Sequence, residues 1–159
     1  MTPAVMAAKK AKVKVDIRRY DHDANADSFG MEAAEKLGLD PRRVFKTLIS
    51  DIDFGDRHGL AVALVPVTAM LDLKKLAAVL DAKRADMADA AQAERATGYQ
   101  VGGISPLGQK RRLPTVADDT IGEFETVFVS AGRRGLQIEI APGDLLRLID
   151  GKKAPIAVS

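Results

Sequence analysis

The chain has 159 residues, 47% of them hydrophobic, enough for one ordinary core in a single domain. Lys and Arg (24) barely outnumber Asp and Glu (22), so the formal charge of +2 does not by itself announce a nucleic-acid binder. With no Cys and only two His, the sequence excludes disulfides, thiolate metal sites, a protein thiol nucleophile and a multi-histidine zinc cage.

Thr2-Pro3 reads as an N-cap followed by proline at the first helical position, opening a helix to about Ala11. Lys9 and Lys10 interrupt the apolar start of the chain, which therefore lacks the h-region of a signal peptide. No apolar run approaches the roughly 20 residues that span a bilayer, and the expected location is the cytoplasm. Val13 to Tyr20 alternates apolar and polar residues as a half-buried strand does. A polar loop, Asp21 to Ser28, leads to a helix from Met31 to Leu37 that stops at Gly38. Asp40-Pro41 repeats the cap-plus-proline signal for one turn before a strand from Val44 to Ser50. Phe54 to Gly59 supplies hairpin turn chemistry, and Leu60 to Val67 is apolar enough for a central strand.

Asp72 caps a helix to about Leu80, with Leu73, Leu76, Ala77 and Leu80 at helical spacing. Lys83 to Met87 reads as a short strand, and Asp89 caps a further helix ending near Gly98. A glycine-rich stretch follows, then a strand from Leu113 to Ala117 that Pro114 would keep at a sheet edge. Thr126 to Ser130 and Leu136 to Ile140 alternate around Gly132-Arg133-Arg134-Gly135, a hairpin signature, and Pro142 starts a last helix to about Asp150. Strands in hairpins with short helices between them predict one mixed α/β (α+β) domain, residues 1–159, on a largely antiparallel or mixed sheet.

Three features bear on chemistry. Thr97 to Thr115 holds four glycines, two prolines and Lys110-Arg111-Arg112, yet no His, Cys, Asp or Glu. It matches neither a dinucleotide fingerprint nor a P-loop. Gly102-Gly103 permits adjacent N–H groups to line a concave surface able to hold an oxyanion, or simply makes a tight turn. Lys46 sits in an apolar strand with Val44 and Leu48 on its face, and either snorkels from a rim or points into a polar cavity. The basic runs Lys9 to Arg19 and Lys110 to Arg112 suit phosphates or a solvated face equally. His22 and His58 read as solvated loop and turn residues, and Asp118-Asp119 as adjacent carboxylates facing water.

The glycine stretch also carries a resemblance. Gly98-Tyr99, Gly102-Gly103-Ile104-Ser105-Pro106-Leu107-Gly108 and Pro114 resemble the hallmark loop of the YbaK family of aminoacyl-tRNA deacylases. Thr2-Pro3-Ala4-Val5, Val44-Phe45-Lys46-Thr47-Leu48, Leu71-Asp72-Leu73-Lys74-Lys75 and Val129-Ser130 through Arg134-Gly135-Leu136 match in the same order, over nearly the whole chain. Within the family, the chain is most similar to free-standing deacylases of Cys-tRNA(Pro). The resemblance implies a partly barrel-like sheet with short flanking helices, like the editing domain of prolyl-tRNA synthetases. It also implies trans-editing: hydrolysis of the ester joining cysteine to the terminal adenosine of mischarged tRNA, with the substrate thiol as nucleophile and no cofactor or metal. Small apolar differences are worth only about 1–3 kcal/mol, so a synthetase that cannot reject cysteine by size needs such a second sieve.

By the same resemblance Lys46 is the functional lysine, with oxyanion donors around Gly102 and Gly103. Tyr20, Phe29, Thr47, Ile104, Ser105 and Ser130 line the pocket, and Lys110, Arg111 and Arg112 face the tRNA. Gln137 stands where a close relative carries an aspartate and cannot serve as a carboxylate base. The implied partners are the aminoacylated tRNA 3′ end and a prolyl-tRNA synthetase. Two alternatives stay open: a non-catalytic module binding acceptor ends or a synthetase, and a deacylase preferring Ala-tRNA(Pro).

Overall fold

The computed structural model describes residues 1–23 and 29–159, with Phe29 described by its backbone alone. The expected loop Asp21 to Ser28 falls outside the described residues from Ala24 onward. Helix α1, Pro3–Lys10, is capped by Thr2, whose side chain accepts from the Val5 amide. Strand β1 is Val15–Arg19, shorter than the alternation at both ends, and α2 is Phe29–Leu37. After a 3₁₀ turn at Pro41–Arg43, the strands β2, Phe45–Asp53, and β3, His58–Pro66, form a long antiparallel hairpin.

The remaining elements are β4 (Met70–Leu71), α3 (Leu73–Val79), β5 (Arg84–Met87) and α4 (Ala90–Thr97), then β6 (Thr115–Asp118). They are followed by β7 (Val127–Ser130), β8 (Leu136–Ile140), α5 (Pro142–Ile149), β9 (Lys152–Ala154) and β10 (Ala157–Val158). Among the described residues these strands form a five-stranded sheet ordered β5-β2-β3-β6-β9, a three-stranded sheet β1-β8-β7 and the pair β10-β4. The large sheet is mixed, because β6 and β9 join in parallel while the hairpin and β5 are antiparallel. The fold is therefore the mixed α/β class, with sheets that do not close into a barrel.

Two sequence expectations about the strands are corrected. β6 lies inside the sheet between β3 and β9, not at its edge. Pro114 precedes the strand and offers only its carbonyl, to the Val62 amide, so its missing N–H interrupts no ladder. His58 is not a turn residue: it begins β3 opposite Asp53, with Nδ1 3.6 Å from Asp51 and Nε2 3.8 Å from Asp53.

The two larger sheets face each other across the main core. Phe45, Ile49, Val62 and Leu64 meet Val127, Val129, Leu136 and Ile138 there, and α1, α4 and α5 close the sides with Ala4, Ala96 and Leu145. The other face of the large sheet packs Ile52, Ala63 and Val65 against Leu76 of α3 and Ile156 near the C-terminus. Asp118 fastens that second layer. Its Oδ1 accepts from the Ile156 and Ala157 amides at 3.0 and 2.9 Å, and its Oδ2 from the Thr120 hydroxyl at 2.6 Å. The residue is 3% exposed, so it is a buried clasp and not the solvated carboxylate its sequence suggests. Among the described residues, no helix is long and apolar enough to cross a membrane.

Candidate functional site

The site begins where β5 fails to cover β2. Strand β5 pairs only with Ser50 to Asp53, and the last contact is the Ala88 amide donating to the Ile49 carbonyl. The Val44 carbonyl accepts from Val67 on the β3 side, so by the alternation of an antiparallel ladder the backbone groups of Thr47 point toward the uncovered edge. A cavity of about 440 Å³ opens at this edge. Because it meets the strand edge-on, it receives side chains from both faces of β2: Lys46 and Leu48 from one, Phe45, Thr47 and Ile49 from the other. That geometry reconciles the two readings of Lys46, which stands at a strand rim and also lines a cavity.

The opposite wall is made by α4 and the glycine loop. Ala90 and Ala93 leave room, Gly102 and Ile104 come from the loop, and Ser130 adds to the lining. The helix is fixed by a capping box between Asp89 and Gln92 and ends in Gly98 at left-handed dihedrals. Tyr99 then turns inward and donates its hydroxyl to the Leu107 carbonyl at 2.6 Å, tying the two ends of the loop together. Burial pushes this phenol up to about 12, so it acts as a neutral strut.

Gly102 has φ +97°, a conformation that favours glycine. Gly103 is needed for a different reason: a Cβ there would come 2.6 Å from the Arg133 Cα. The Gly103 amide donates to the Gln100 carbonyl at 2.9 Å, and its own carbonyl accepts from the Ser130 hydroxyl at 3.1 Å. Gly103 thus packs behind the cavity wall, while Gly102 and Ile104 line the cavity and their amides have no acceptor among the described residues. Ser105 is also turned away from the cavity, its hydroxyl accepting from the Leu107 amide at 3.2 Å.

Lys46 forms no hydrogen bond or ion pair among the described residues, and burial holds its ammonium pKa below the ordinary lysine value. The Thr47 hydroxyl is buried without a partner, as is Gln137 Oε1 on β8, directly opposite Ser130. The Ser130 hydroxyl also accepts from the Gly132 amide, so both of its hydrogen-bonding roles are filled by backbone. Tyr20 lies beyond the cavity lining, its amide donating to the Gly135 carbonyl and its phenol pKa raised by burial. The side chain of Phe29 is outside the described residues.

His22 stands near the buried carboxylate of Glu32, with Nδ1 3.5 Å from Oε1. Glu32 also accepts from the Asp23 amide at 2.6 Å, pinning the chain after β1 to α2. Within the triplet Lys110 to Arg112, Arg111 lines a groove beside α4 and shares a depression near α5 with Arg112, which also lines one near β9.

Sequence reasoning missed Gly30, Met87, Ala88, Ala90, Ala93 and Val101, all of which line the cavity. Ala90 and Ala93, one turn apart on a capped helix, were the visible signal of a face with empty space beside it. Met87 and Val101 gave none: they are 49% and 48% exposed, and only the fold brings them to one mouth.

The arrangement is thus a mostly apolar cavity with one desolvated ammonium, free backbone amides and a strand edge. Comparison with known proteins gives it a family. Residues 24–148 match the model of the aminoacyl-tRNA editing domain. The chain is 39% identical over 144 residues to "Putative Cys-tRNA(Pro)/Cys-tRNA(Cys) deacylase EbsC" of Enterococcus faecalis (strain ATCC 700802 / V583), covering 90% of this chain and 86% of that one. It is also 26% identical over 136 residues to a proline–tRNA ligase of Thermoanaerobacter sp. (strain X514), covering 78% of this chain but 23% of the ligase. A solved structure described as "a putative trans-editing enzyme for prolyl tRNA synthetase" superposes with a TM-score of 0.79 at 21% identity, covering 100% of this chain and 99% of that one, and shares the fold. The chain belongs to the aminoacyl-tRNA editing domain family, the YbaK family that its glycine loop resembles.

Proposed function

We propose that this editing domain, an aminoacyl-tRNA deacylase, acts in trans to release cysteine from mischarged Cys-tRNA(Pro). The observation that carries the reading is a cavity equipped to position and polarise an ester but not to attack it. Among the described residues no His, Asp or Glu lines it, the chain has no Cys, and the Ser130 hydroxyl is held between two backbone partners. A substrate that brings its own nucleophile fits such a site. The cysteinyl sulfur attacks the ester carbonyl carbon, the bond to the ribose oxygen breaks, and the thiol proton passes to that oxygen as a thiolactone forms.

The protein's part is geometry and charge. The amides of Gly102 and Ile104 receive the oxyanion, a change from the sequence expectation, because the Gly103 amide is already bonded to Gln100. The ammonium of Lys46 anchors the ribose or phosphate oxygens of the terminal nucleotide. The Thr47 backbone pairs with the aminoacyl group along the β2 edge, and its unpartnered hydroxyl and Gln137 Oε1 are acceptors for the substrate's α-ammonium. Met87 and Val101 give the terminal base an apolar platform at the mouth. Ligases that carry a similar segment within a longer chain motivate a prolyl-tRNA synthetase as the partner that selects the tRNA.

The test is a panel of Cys-, Pro-, Ala- and Ser-tRNA(Pro). Cysteine should be released rapidly and the others slowly, serine included, since its hydroxyl is a far weaker nucleophile than a thiol. Proline release as fast as cysteine release would sink the proposal, as would no release of either. Preferential loss of alanine would select the Ala-tRNA(Pro) reading instead.

A further inference from the structure

We infer that a second cavity, on the far side of α4 from the deacylation site, is a seat for the phosphodiester backbone of the acceptor strand, with Arg95 and Arg111 as its phosphate ligands. The inference rests on the reading of the first cavity as a site for aminoacyl-tRNA. The groove has a volume of about 630 Å³ and lies between α4 and the tip of the β2–β3 hairpin. Arg95 enters it from the helix, and Arg111 from the end of the glycine loop. Their adjacency is built in, because the Arg111 amide donates to the carbonyl of Ala96, the residue after Arg95, at 3.1 Å.

Neither guanidinium has a hydrogen bond or ion pair among the described residues. Asp51 is the acid that lines the groove, and it already faces the imidazole of His58 at 3.6 Å. Glu94, next in sequence to Arg95, is committed to the Val101 amide at 2.8 Å. The fold thus brings two exposed positive charges to one concavity, where Asp51 is the acid beside them and Glu94 is committed elsewhere. Guanidinium groups offer forked donors suited to phosphate oxygens, and Gln92 on the same wall adds a neutral donor.

Position argues for RNA over an isolated anion. One helix separates the two cavities: Ala90 and Ala93 face the deacylation site, while Gln92, Arg95 and Ala96 face the groove. A helix with its side chains is about 10–12 Å across, a span of only a few nucleotides. A strand whose terminal adenosine occupies the first cavity would cross α4 and lay its preceding phosphates in the second.

The test is the double variant Arg95→Gln/Arg111→Gln, with Arg57→Gln/Arg147→Gln, on the β2–β3 turn and α5, as a charge-matched control. Binding of uncharged tRNA(Pro) is followed by fluorescence anisotropy over a series of KCl concentrations. Turnover is measured on Cys-tRNA(Pro) and on cysteinyl-adenosine, which lacks the upstream phosphates. The double variant should bind tRNA at least about tenfold more weakly, with a salt dependence shallower by about two counterions. KM for Cys-tRNA(Pro) should rise with kcat preserved, and cysteinyl-adenosine turnover should be unchanged. An unaltered salt slope and affinity would overturn the inference, and so would an equal loss on cysteinyl-adenosine, which marks a structural effect. A loss seen only when synthetase is present would overturn it in favour of an acidic protein surface. Because anisotropy needs no catalysis, arginine-dependent tRNA binding without cysteine release would refute the deacylase reading while leaving the groove intact.

Discussion

Lys46 brings an unpaired charge to the cavity lining. Val44 and Leu48, its neighbours on the same face, are aliphatic, it has no acidic partner among the described residues, and desolvation disfavours its protonated form. The folded protein therefore carries a cost for keeping the ammonium, which suits a group awaiting an anionic ligand better than one holding the fold together. Lys46→Met should cut deacylation on the order of 10²-fold while leaving thermal stability at neutral pH equal or higher. The sign follows from the depressed folded pKa. Between the folded and unfolded values the unfolded chain binds more protons, so wild-type stability rises with pH through that window. The advantage of the methionine variant should shrink accordingly in melts taken toward alkaline pH, and a variant that unfolds at neutral pH would remove the lysine from the site. The kcat/KM profile of the wild type should turn down on the alkaline side below the ordinary lysine pKa. Sequence reasoning singled out this lysine because a charge in an apolar strand is anomalous. It could not choose between rim and cavity, because both depend on where β5 stops.

At the scale of elements, the glycine loop is a folded strap with two kinds of glycine. Gly102 supplies a backbone conformation, and Gly103 supplies space against Arg133. Gly102→Ala should strain the loop by about 1–3 kcal/mol and displace the amides proposed to receive the oxyanion. Its deacylation rate should fall by on the order of 10²-fold, more than a Tm shift of a few degrees would explain, while tRNA affinity by anisotropy stays near wild type. If rate and affinity fall together, the loop acts in binding and not in transition-state stabilisation. The paired glycines and their proline were conspicuous in the sequence. Which of the two amides is free was not, because the answer lies in a bond between Gly103 and Gln100 that forms only when the turn closes.

The whole molecule is two packed layers fastened at the back by Asp118, far along the chain from the elements it joins. Burial raises the pKa of this carboxyl, but the bonds from Thr120, Ile156 and Ala157 outweigh burial and hold it below the usual carboxylate range. Asp118→Ala should destabilise the fold by about 3 kcal/mol in urea, since it leaves buried amides without an acceptor. The sign in acid is the usual one for a depressed carboxylate. The stabilisation is present above the unfolded pKa and disappears as pH falls through the folded value, so the variant's deficit should vanish in strongly acidic buffer. A deficit that persists unchanged there would mean that lost packing, not the carboxylate, is responsible.

Local sequence determined most of the elements of this protein, because caps, prolines and periodicity act within a few residues. The helices after Thr2, Asp72 and Asp89 and the hairpin strands of the two sheets follow from such short-range chemistry. The family also followed from sequence, since several motifs in one order survive without any geometry. What only the tertiary structure decided was everything that depends on a partner distant in the chain. The interior position of β6 depends on β9, the burial of Asp118 on residues 156 and 157, and the union of Arg95 with Arg111 on one backbone bond. The deacylation cavity itself is such a feature. It exists because β5 is shorter than β2, and the length of an uncovered strand edge is a property of two strands together.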